Sequence, residues 1–289
     1  MAQVSIIVPV NNAGIYIKKS LQSLQDQTFS DIRIICIENG STDNSWEEII
    51  SLKNDKRIIS LKIPEADVSY ARNLGLFWAL KSSPYVMFCD ADDTYHPQMV
   101  NTMVEGISEF KSDIACCEIS VDYRADYNLQ QSDDIYYTLK FNGFSNNITE
   151  IINNIDYSLC NKIFRCSLIQ RYSLNFPVSC LYEDACFCWK YLSVCDSIFF
   201  IKKRMYNYVR HENSIMNKTF SKSKSSIDHI KIADNIYEFL KKNKVFPKYA
   251  NEFRQFYNAY LALAKYHSDE ATMAKIETLD KEFQYKFFS

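Results

Sequence analysis

No apolar run in this chain approaches the ~20 residues that a membrane-spanning helix needs. C-x-x-C and H-E-x-x-H are both missing, which removes the commonest zinc arrangements. No G-x-G-x-x-G follows the first expected strand and no G-x-x-x-x-G-K-[ST] occurs, so a dinucleotide fingerprint and a P-loop are both excluded. There is no strong basic stripe and the isoelectric point is about 6.1, which argues against nucleic acid as a partner. Internal repeats and low-complexity tracts are also lacking.

What is present suits a globular enzyme-sized fold. The 289 residues are 47% apolar, enough to bury a sizeable core. The ten cysteines lie inside apolar runs, as in "RIICI", "VMFC" and "ACFCW", where they act as small buried hydrophobes. Met1-Ala2-Gln3 offers no basic leader and "VSIIVPV" reads as a strand, so the expected home is a reducing cytoplasm. The net charge of −2 is unevenly spread: the chain is acidic up to Asn217 and weakly basic from Lys218 onward. Lys241, Lys242 and Lys244 beside Phe239, Leu240, Val245 and Phe246 leave two readings open. They are snorkelling lysines over a core helix, or a peripheral membrane contact on the inner face of the plasma membrane.

The first half alternates strand and helix. Strands are expected at 4–10, 32–37, 58–63, 85–90 and 112–121, with helices at 15–27, 41–53, 68–81 and 96–110. That order predicts an α/β fold with a mostly parallel central sheet covered by helices on both faces. The stretch after residue 121 is polar, rich in Tyr and Asn, and reads as loops. "NKIFRCSLIQRY" and "YEDACFCWKYLSVC" read as helices and "SIFFIKKRMYNYV" as a hairpin. From about Ser221 the pattern is helical to the end. The expected division is 1–217 for the main domain and 218–289 for a C-terminal helical region.

In an open α/β sheet, ligands bind beyond the carboxyl ends of the strands. Three polar clusters fall there: Pro9 to Gly14, Glu38 to Ser41, and Asp90-Ala91-Asp92-Asp93. The first two are also ordinary turn and cap chemistry. The third is harder to explain that way, because three carboxylates at the end of a buried strand repel one another. D-x-D supplies hard oxygen ligands suited to Mg²⁺ or Mn²⁺. A calcium loop of the EF-hand type would want Gly where Tyr95 stands. One or two carboxylates with substrate phosphates is the usual Mg²⁺ arrangement, so the cluster suggests a metal bridging to a diphosphate.

"VSIIVPVNNAGIYIKKSLQSLQDQTFSDIRIICIENGSTDNS", "SYARNLGL", "YVMFCDADD", "CNKIFRCSLI", "FPVSCLYEDACFCWKYL" and "YNYVRHENSIMN" together resemble the family 2 glycosyltransferases, in the same order, over residues 3 to 217. The resemblance implies an inverting enzyme of the A-type nucleotide-sugar-binding fold. It places Pro9, Asn11, Glu38 and Asn39 against the nucleotide, with Asn at 11 and 39 where the family usually has Tyr and an acid. Arg72 falls near the nucleotide and diphosphate, and Asp90 toward the ribose. Asp92 is the implied metal ligand, and Asp93 either supports it or caps the helix near His96. Asp184 is the implied general base, oriented by Glu183. Arg210 and His211 fall in a loop over the diphosphate, His211 as a further metal ligand, and Lys162 is placed by resemblance alone. His96, His229 and His267 read as surface or packing residues. The implied activity is a Mn²⁺- or Mg²⁺-dependent transfer of a hexose or N-acetylhexosamine from a UDP-sugar to a glycan or lipid-linked glycan acceptor, in bacterial surface polysaccharide or lipopolysaccharide synthesis. The alternative is a catalytically silent nucleotide-sugar-binding module or partner subunit. A nucleotidyltransferase would need a basic loop after the first strand, which "VNNAGIY" lacks.

Overall fold

A computed structural model describes residues 2–64, 67–123, 138–210 and 224–288. Strands β1 (Val4–Val10), β2 (Ile32–Asn39), β3 (Ile58–Ile63) and β4 (Tyr85–Phe88) alternate with helices α1 (Ile17–Gln25), α2 (Ser45–Ser51) and α3 (Val68–Ala79). β1 pairs in parallel with both β2 and β4, and β2 with β3. β1 is buried along its whole length, which is why it reads as a continuous apolar run. Ile17, Leu21 and Leu24 of α1 are fully buried, as their spacing predicts.

Beyond β4 the chain adds β5 (Thr94–Tyr95), α4 (Met99–Glu109), β6 (Ile114–Tyr123), β7 (Gly143–Ser145), α5 (Ile148–Ile151), β8 (Lys162–Arg165), α6 (Cys166–Tyr172), α7 (Glu183–Val194) and β9 (Ile198–Arg210). The sheet runs β3-β2-β1-β4-β8-β6-β9-β5, with β7 also on β9. β8 is antiparallel to β4 and β6, while β6 and β9 are parallel. The result is a mixed, mostly parallel α/β sheet flanked by helices.

Two elements differ from the sequence reading. "KIFR" is a strand, not the start of a helix. Four residues are too few to set a period, and it becomes a strand because β4 and β6 present hydrogen-bonding edges on either side. "SIFFIKKRMYNYV" is one long strand, not a hairpin. The polar Lys202 and Lys203 imitate a turn. They are accommodated where the β6–β9 register slips, from Cys117 opposite Ile201 to Glu118 opposite Arg204.

Three C-terminal helices follow, α8 (Asp228–Lys242), α9 (Phe246–Tyr266) and α10 (Glu270–Phe288). They join the main core through α7. Trp189 is fully buried and lies within 6.1 Å of the rings of Tyr249, Phe253 and Phe256. One hydrophobic cluster therefore runs from β1 to Phe283. All ten cysteines are unpaired and nine are buried. Burial pushes the Cys36 thiol up to about 12, so it packs and does not react.

Gly75 sets how closely α3 lies on the sheet. A Cβ there would stand 2.4 Å from Cγ2 of Ile7, a stiff β-branched side chain at the centre of β1. Gly75→Ala should therefore destabilise the protein by about 1–3 kcal/mol despite its higher helix propensity. A urea-denaturation midpoint read by circular dichroism checks this.

Candidate active site

The carboxyl ends of β1 and β2 are laced together by their own loops. Asn11 donates its side-chain amide to the Asn39 carbonyl at 2.6 Å. The Asn12, Ala13 and Gly14 amides donate to Ser41 Oγ, Ser45 Oγ and Asp43 Oδ2. Asn12 itself sits at φ 50°, in the left-handed region that Asn tolerates, and its side chain accepts from the Thr42 amide. Pro9 lies in a central strand, yet its missing N–H breaks no ladder. β4 has ended, the Cys89 amide bonding back to the Ile7 carbonyl two residues earlier. Glu38 is fully buried, its Oε1 accepting from the Ser41 amide at 2.5 Å and its Oε2 lying 3.6 Å from Lys62 Nζ. Asn39 is also buried. Its side-chain oxygen is taken by the Asp67 amide at 3.1 Å, so its NH₂ is what remains to offer a ligand.

Asp67 caps α3 by accepting from the Tyr70 amide, and its other oxygen accepts from the Ser179 amide at 2.7 Å. That bond draws the 173–182 loop to the crevice. Ser179 and Tyr182 both adopt left-handed conformations, which turn the chain into α7. α7 consequently opens on Glu183 and Asp184, with its positive dipole end at the crevice.

Arg72 joins the two halves of the site. It is buried, 6% exposed, not lying on a helix surface. One terminal nitrogen donates to Glu183 and the other to Asp90 at 3.0 Å. A buried guanidinium thus holds the end of β4 against the start of α7. Asp184 stands next to this clamp, half-buried, with Oδ1 accepting from the Ala185 amide at 2.7 Å. Burial, then the neighbouring Glu183 charge, pushes its carboxyl up to about 7, against the pull of Arg72.

Asp93 is fully buried and does not cap α4. It accepts from the Tyr206 hydroxyl and from the Val209 amide at 2.7 Å, tying the β4 end to β9. Burial, then Asp92 and Asp90, push its carboxyl well above the usual range. Asp92 is half-buried at the crevice. Arg210 is the last residue of β9, and His211 lies outside the described residues. Lys162 is fully buried and spends its three N–H bonds on Asp156, Ser158 and Asn161, so it serves the fold and not the crevice. Exposed His96 accepts from the Gln98 amide, and half-buried His267 lies beside Tyr266.

No cluster of three metal-ligating side chains occurs among the described residues. The donor set nevertheless fits a diphosphate-bridging divalent ion. Arg72 balances Asp90, whereas Asp92 and Asp93 crowd each other with their mutual repulsion visible in the raised Asp93 carboxyl. Asp92 with phosphate oxygens and water meets the needs of Mg²⁺ or Mn²⁺.

Sequence reasoning missed the aromatic wall beside Asp184. Tyr182 stacks on His229 at 4.0 Å, and Tyr260 of α9 meets both rings edge-on. Burial pushes the Tyr182 and Tyr260 hydroxyls up, with the Asp184 charge a lesser contributor to each. His229 is 2% exposed with neither ring nitrogen hydrogen-bonded, and burial pushes its pKa down to about 4. Nothing along the chain signals that helices 40 and more residues away close this wall. Two concavities lie elsewhere: about 210 Å³ between α9 and α10, and an open groove of about 580 Å³ along α1.

Comparison with known proteins shows the family and the fold. The pattern of glycosyl transferase family 2 matches residues 5–173, and the chain belongs to that family. It is 28% identical to glycosyltransferase GlyA of Streptococcus pneumoniae over 74% of this chain, which spans only 31% of GlyA. Its fold is similar to S. aureus TarS 1–349 in complex with UDP-GlcNAc, with TM-score 0.68, 20% identity, 94% of this chain and 83% of that one. It is also similar to the mannosyltransferase PcManGT of Pyrobaculum calidifontis in complex with GDP-Man and Mn²⁺, with TM-score 0.57, 14% identity, 98% of this chain and 81% of that one. Family membership and the named relatives make the chain a glycosyltransferase by class.

Two stability measurements check the site. Arg72→Met should cost about 3–5 kcal/mol, because it leaves Glu183 buried and uncompensated, and adding Glu183→Gln should recover a large part. Asp184→Asn should do the opposite. A carboxyl raised from about 4 to about 7 costs the fold nothing below pH 4 and progressively more as pH rises to 7. The variant should therefore match the wild type near pH 4 and exceed it by about 2 kcal/mol at pH 8, allowing for partial exposure, a gain of several degrees in Tm. Calorimetry across that range reads both.

Proposed function

We propose that this chain is a metal-dependent inverting glycosyltransferase that moves a hexose or N-acetylhexosamine from a UDP-sugar to a hydroxyl of a glycan acceptor, in bacterial surface polysaccharide or lipopolysaccharide synthesis. The observation that carries this reading is Asp184: a carboxylate at the mouth of the crevice, fixed by the Arg72 clamp, with its pKa near neutrality. A general base works best when its pKa lies close to the working pH. Asp184 takes the proton of the acceptor hydroxyl as that oxygen bonds to the anomeric carbon. The bond from that carbon to the diphosphate breaks on the opposite side, and the leaving UDP carries away the electron pair. Mn²⁺ or Mg²⁺, held through Asp92, supplies charge to offset that developing on the diphosphate.

On this reading Pro9, Asn11, Glu38 and Asn39 shape the nucleotide end, where the Asn39 NH₂ can donate to a carbonyl of the base. Asp90 lies toward the ribose, and Arg210 and His211 toward the diphosphate, His211 as a further metal ligand. Tyr182 and Tyr260 wall the acceptor side. Residues 1–217 carry donor binding and 218–289 the acceptor-side helices. Support comes from the family membership, from relatives of similar fold that bind nucleotide sugars, and from the crowding of Asp90, Asp92 and Asp93.

The test is release of UDP from UDP-glucose, UDP-galactose, UDP-N-acetylglucosamine and UDP-N-acetylgalactosamine, with GDP-mannose as the control, in Mn²⁺ and in chelator. One UDP-sugar should be consumed in a Mn²⁺-dependent manner. Asp184→Asn should keep donor affinity within about threefold and lose at least about 10³-fold in turnover, and Asp92→Ala should lose metal-dependent binding. In the wild type, kcat/KM for the acceptor should fall about tenfold per pH unit below about 7. Unchanged turnover by Asp184→Asn would end the base assignment.

A further inference from the structure

The surface formed by α3, α6 and the 173–182 loop is free of acids to an unusual degree. No Asp or Glu occurs between Val68 and Cys89, or between Tyr157 and Tyr182. The fold places these two segments side by side. Asn73 exchanges two hydrogen bonds with the Phe176 backbone, Gln170 donates to the Leu80 carbonyl, and the Cys166 amide to the Pro84 carbonyl. Asp67, next before Val68, has both oxygens committed to backbone amides at the crevice end.

Among the described residues, this face also groups four of the exposed large apolar side chains. Tyr70, Leu74 and Phe77 fall at i, i+4 and i+7 on the outer side of α3, and Lys81 follows just past its end. Tyr70 is 48% exposed, Phe77 52%, Trp78 39% and Val178 on the neighbouring loop 56%. Phe77 and Trp78 meet edge to face at 6.2 Å, and Lys81 Nζ lies 3.7 Å from the Phe77 ring centre. Arg171 is exposed at the end of α6. Large exposed apolar groups cost solubility unless something covers them.

We infer that this face docks on a lipid bilayer bearing anionic headgroups. Aromatic rings with a polar edge, flanked by Lys and Arg and cleared of carboxylates, match the interfacial layer of such a membrane in both polarity and charge. The Lys241, Lys242 and Lys244 cluster is a poorer match. Leu240 beside it is fully buried, and the same helix carries Asp234 and Glu238, both paired with Lys286, so that its surface is of mixed charge. The docking face shares α3 with the active site, since the same helix carries Arg72 inward. Adsorption would hold the crevice mouth near the bilayer surface, where a lipid-linked acceptor presents its glycan. The contact itself is independent of the donor chemistry and is read without any substrate.

The experiment adds vesicles of phosphatidylcholine, with or without phosphatidylglycerol, to the purified full chain and follows tryptophan emission and co-sedimentation. Trp189 is fully buried and Trp46 is partly covered by the Lys53 and Lys62 side chains, so Trp78 is the reporter. Anionic vesicles should shift the emission to the blue, and Trp78→Phe should remove that shift while the protein still sediments with them. Phe77→Ser with Trp78→Ser, and separately Lys81→Glu with Arg171→Glu, should each lower partitioning about tenfold or more. UDP-sugar hydrolysis in the absence of vesicles should be unchanged in both. The inference is overturned by absence of binding to anionic vesicles, by a blue shift that survives Trp78→Phe, or by binding lost only on reversing Lys241, Lys242 and Lys244. It is equally overturned if light scattering shows a dimer that Phe77→Ser with Trp78→Ser dissociates, since the face then belongs to a second copy.

Discussion

One buried guanidinium holds the working parts together. Arg72 sits on a helix of the parallel half, and its two partners come from the end of β4 and the start of α7, 18 and 111 residues away in sequence. Burying a charge is costly, and burying three acids near one cation is tolerable only if the cation is shared. Its two terminal nitrogens go to Glu183 and Asp90, while its buried Nε makes no hydrogen bond, and it acts on Asp184 through charge alone. In that group the Asp184 carboxyl is raised, by burial first and then by the Glu183 charge. A lysine could not do the same, because a single ammonium lacks the fork that reaches two carboxylates from opposite sides.

A second buried acid does comparable work on the other side of the crevice. Asp93 ties β4 to β9 through Tyr206 and the Val209 amide. The loop after β4 is therefore anchored at both ends, by Asp90 to Arg72 and by Asp93 to β9, with Asp92 between them. The position of Asp92 is thus set by neighbours fixed on both sides of it.

The alternating first half was legible from apolar periodicity, because β1, β2 and β4 are buried nearly throughout and α1 carries a clear inner stripe. The polar clusters at the strand ends were legible too, since topology alone sends them to one edge. β8 was not legible. Four residues carry no period, and only the edges of β4 and β6 make "KIFR" a strand. β9 was misread because Lys202 and Lys203 look like a turn in one dimension, while in three they occupy a register slip. At the site, the acid pair at the α7 start could be found, but not the raised pKa of Asp184. That value depends on burial in the folded chain, which no local pattern records. The aromatic wall of Tyr182, His229 and Tyr260 was invisible for the same reason. Lys162 shows the reverse failure: its place in a matching block suggested the crevice, and its three hydrogen bonds put it in the core.

α3 gathers these constraints into one element. Its inner face, from Ala71 and Arg72 through Gly75, Leu76 and Ala79, is buried against the sheet and the crevice. Its outer face, from Tyr70 through Leu74 to Phe77, lies on the opposite side of the same cylinder. A helix with a glycine contact to β1 cannot rotate without driving that contact apart, so the two faces keep a fixed angle. Anything that binds the outer face consequently sets the direction in which Arg72, Asp90 and Asp184 point. For an enzyme whose acceptor is held in a plane, orientation removes rotational freedom before the acceptor arrives, and rotational freedom lost in advance does not have to be lost at the reaction step. The scarcity of carboxylates on α3 is then a property of the whole catalytic arrangement, in which acids are concentrated at the crevice and withheld from the surface that would carry it to its substrate.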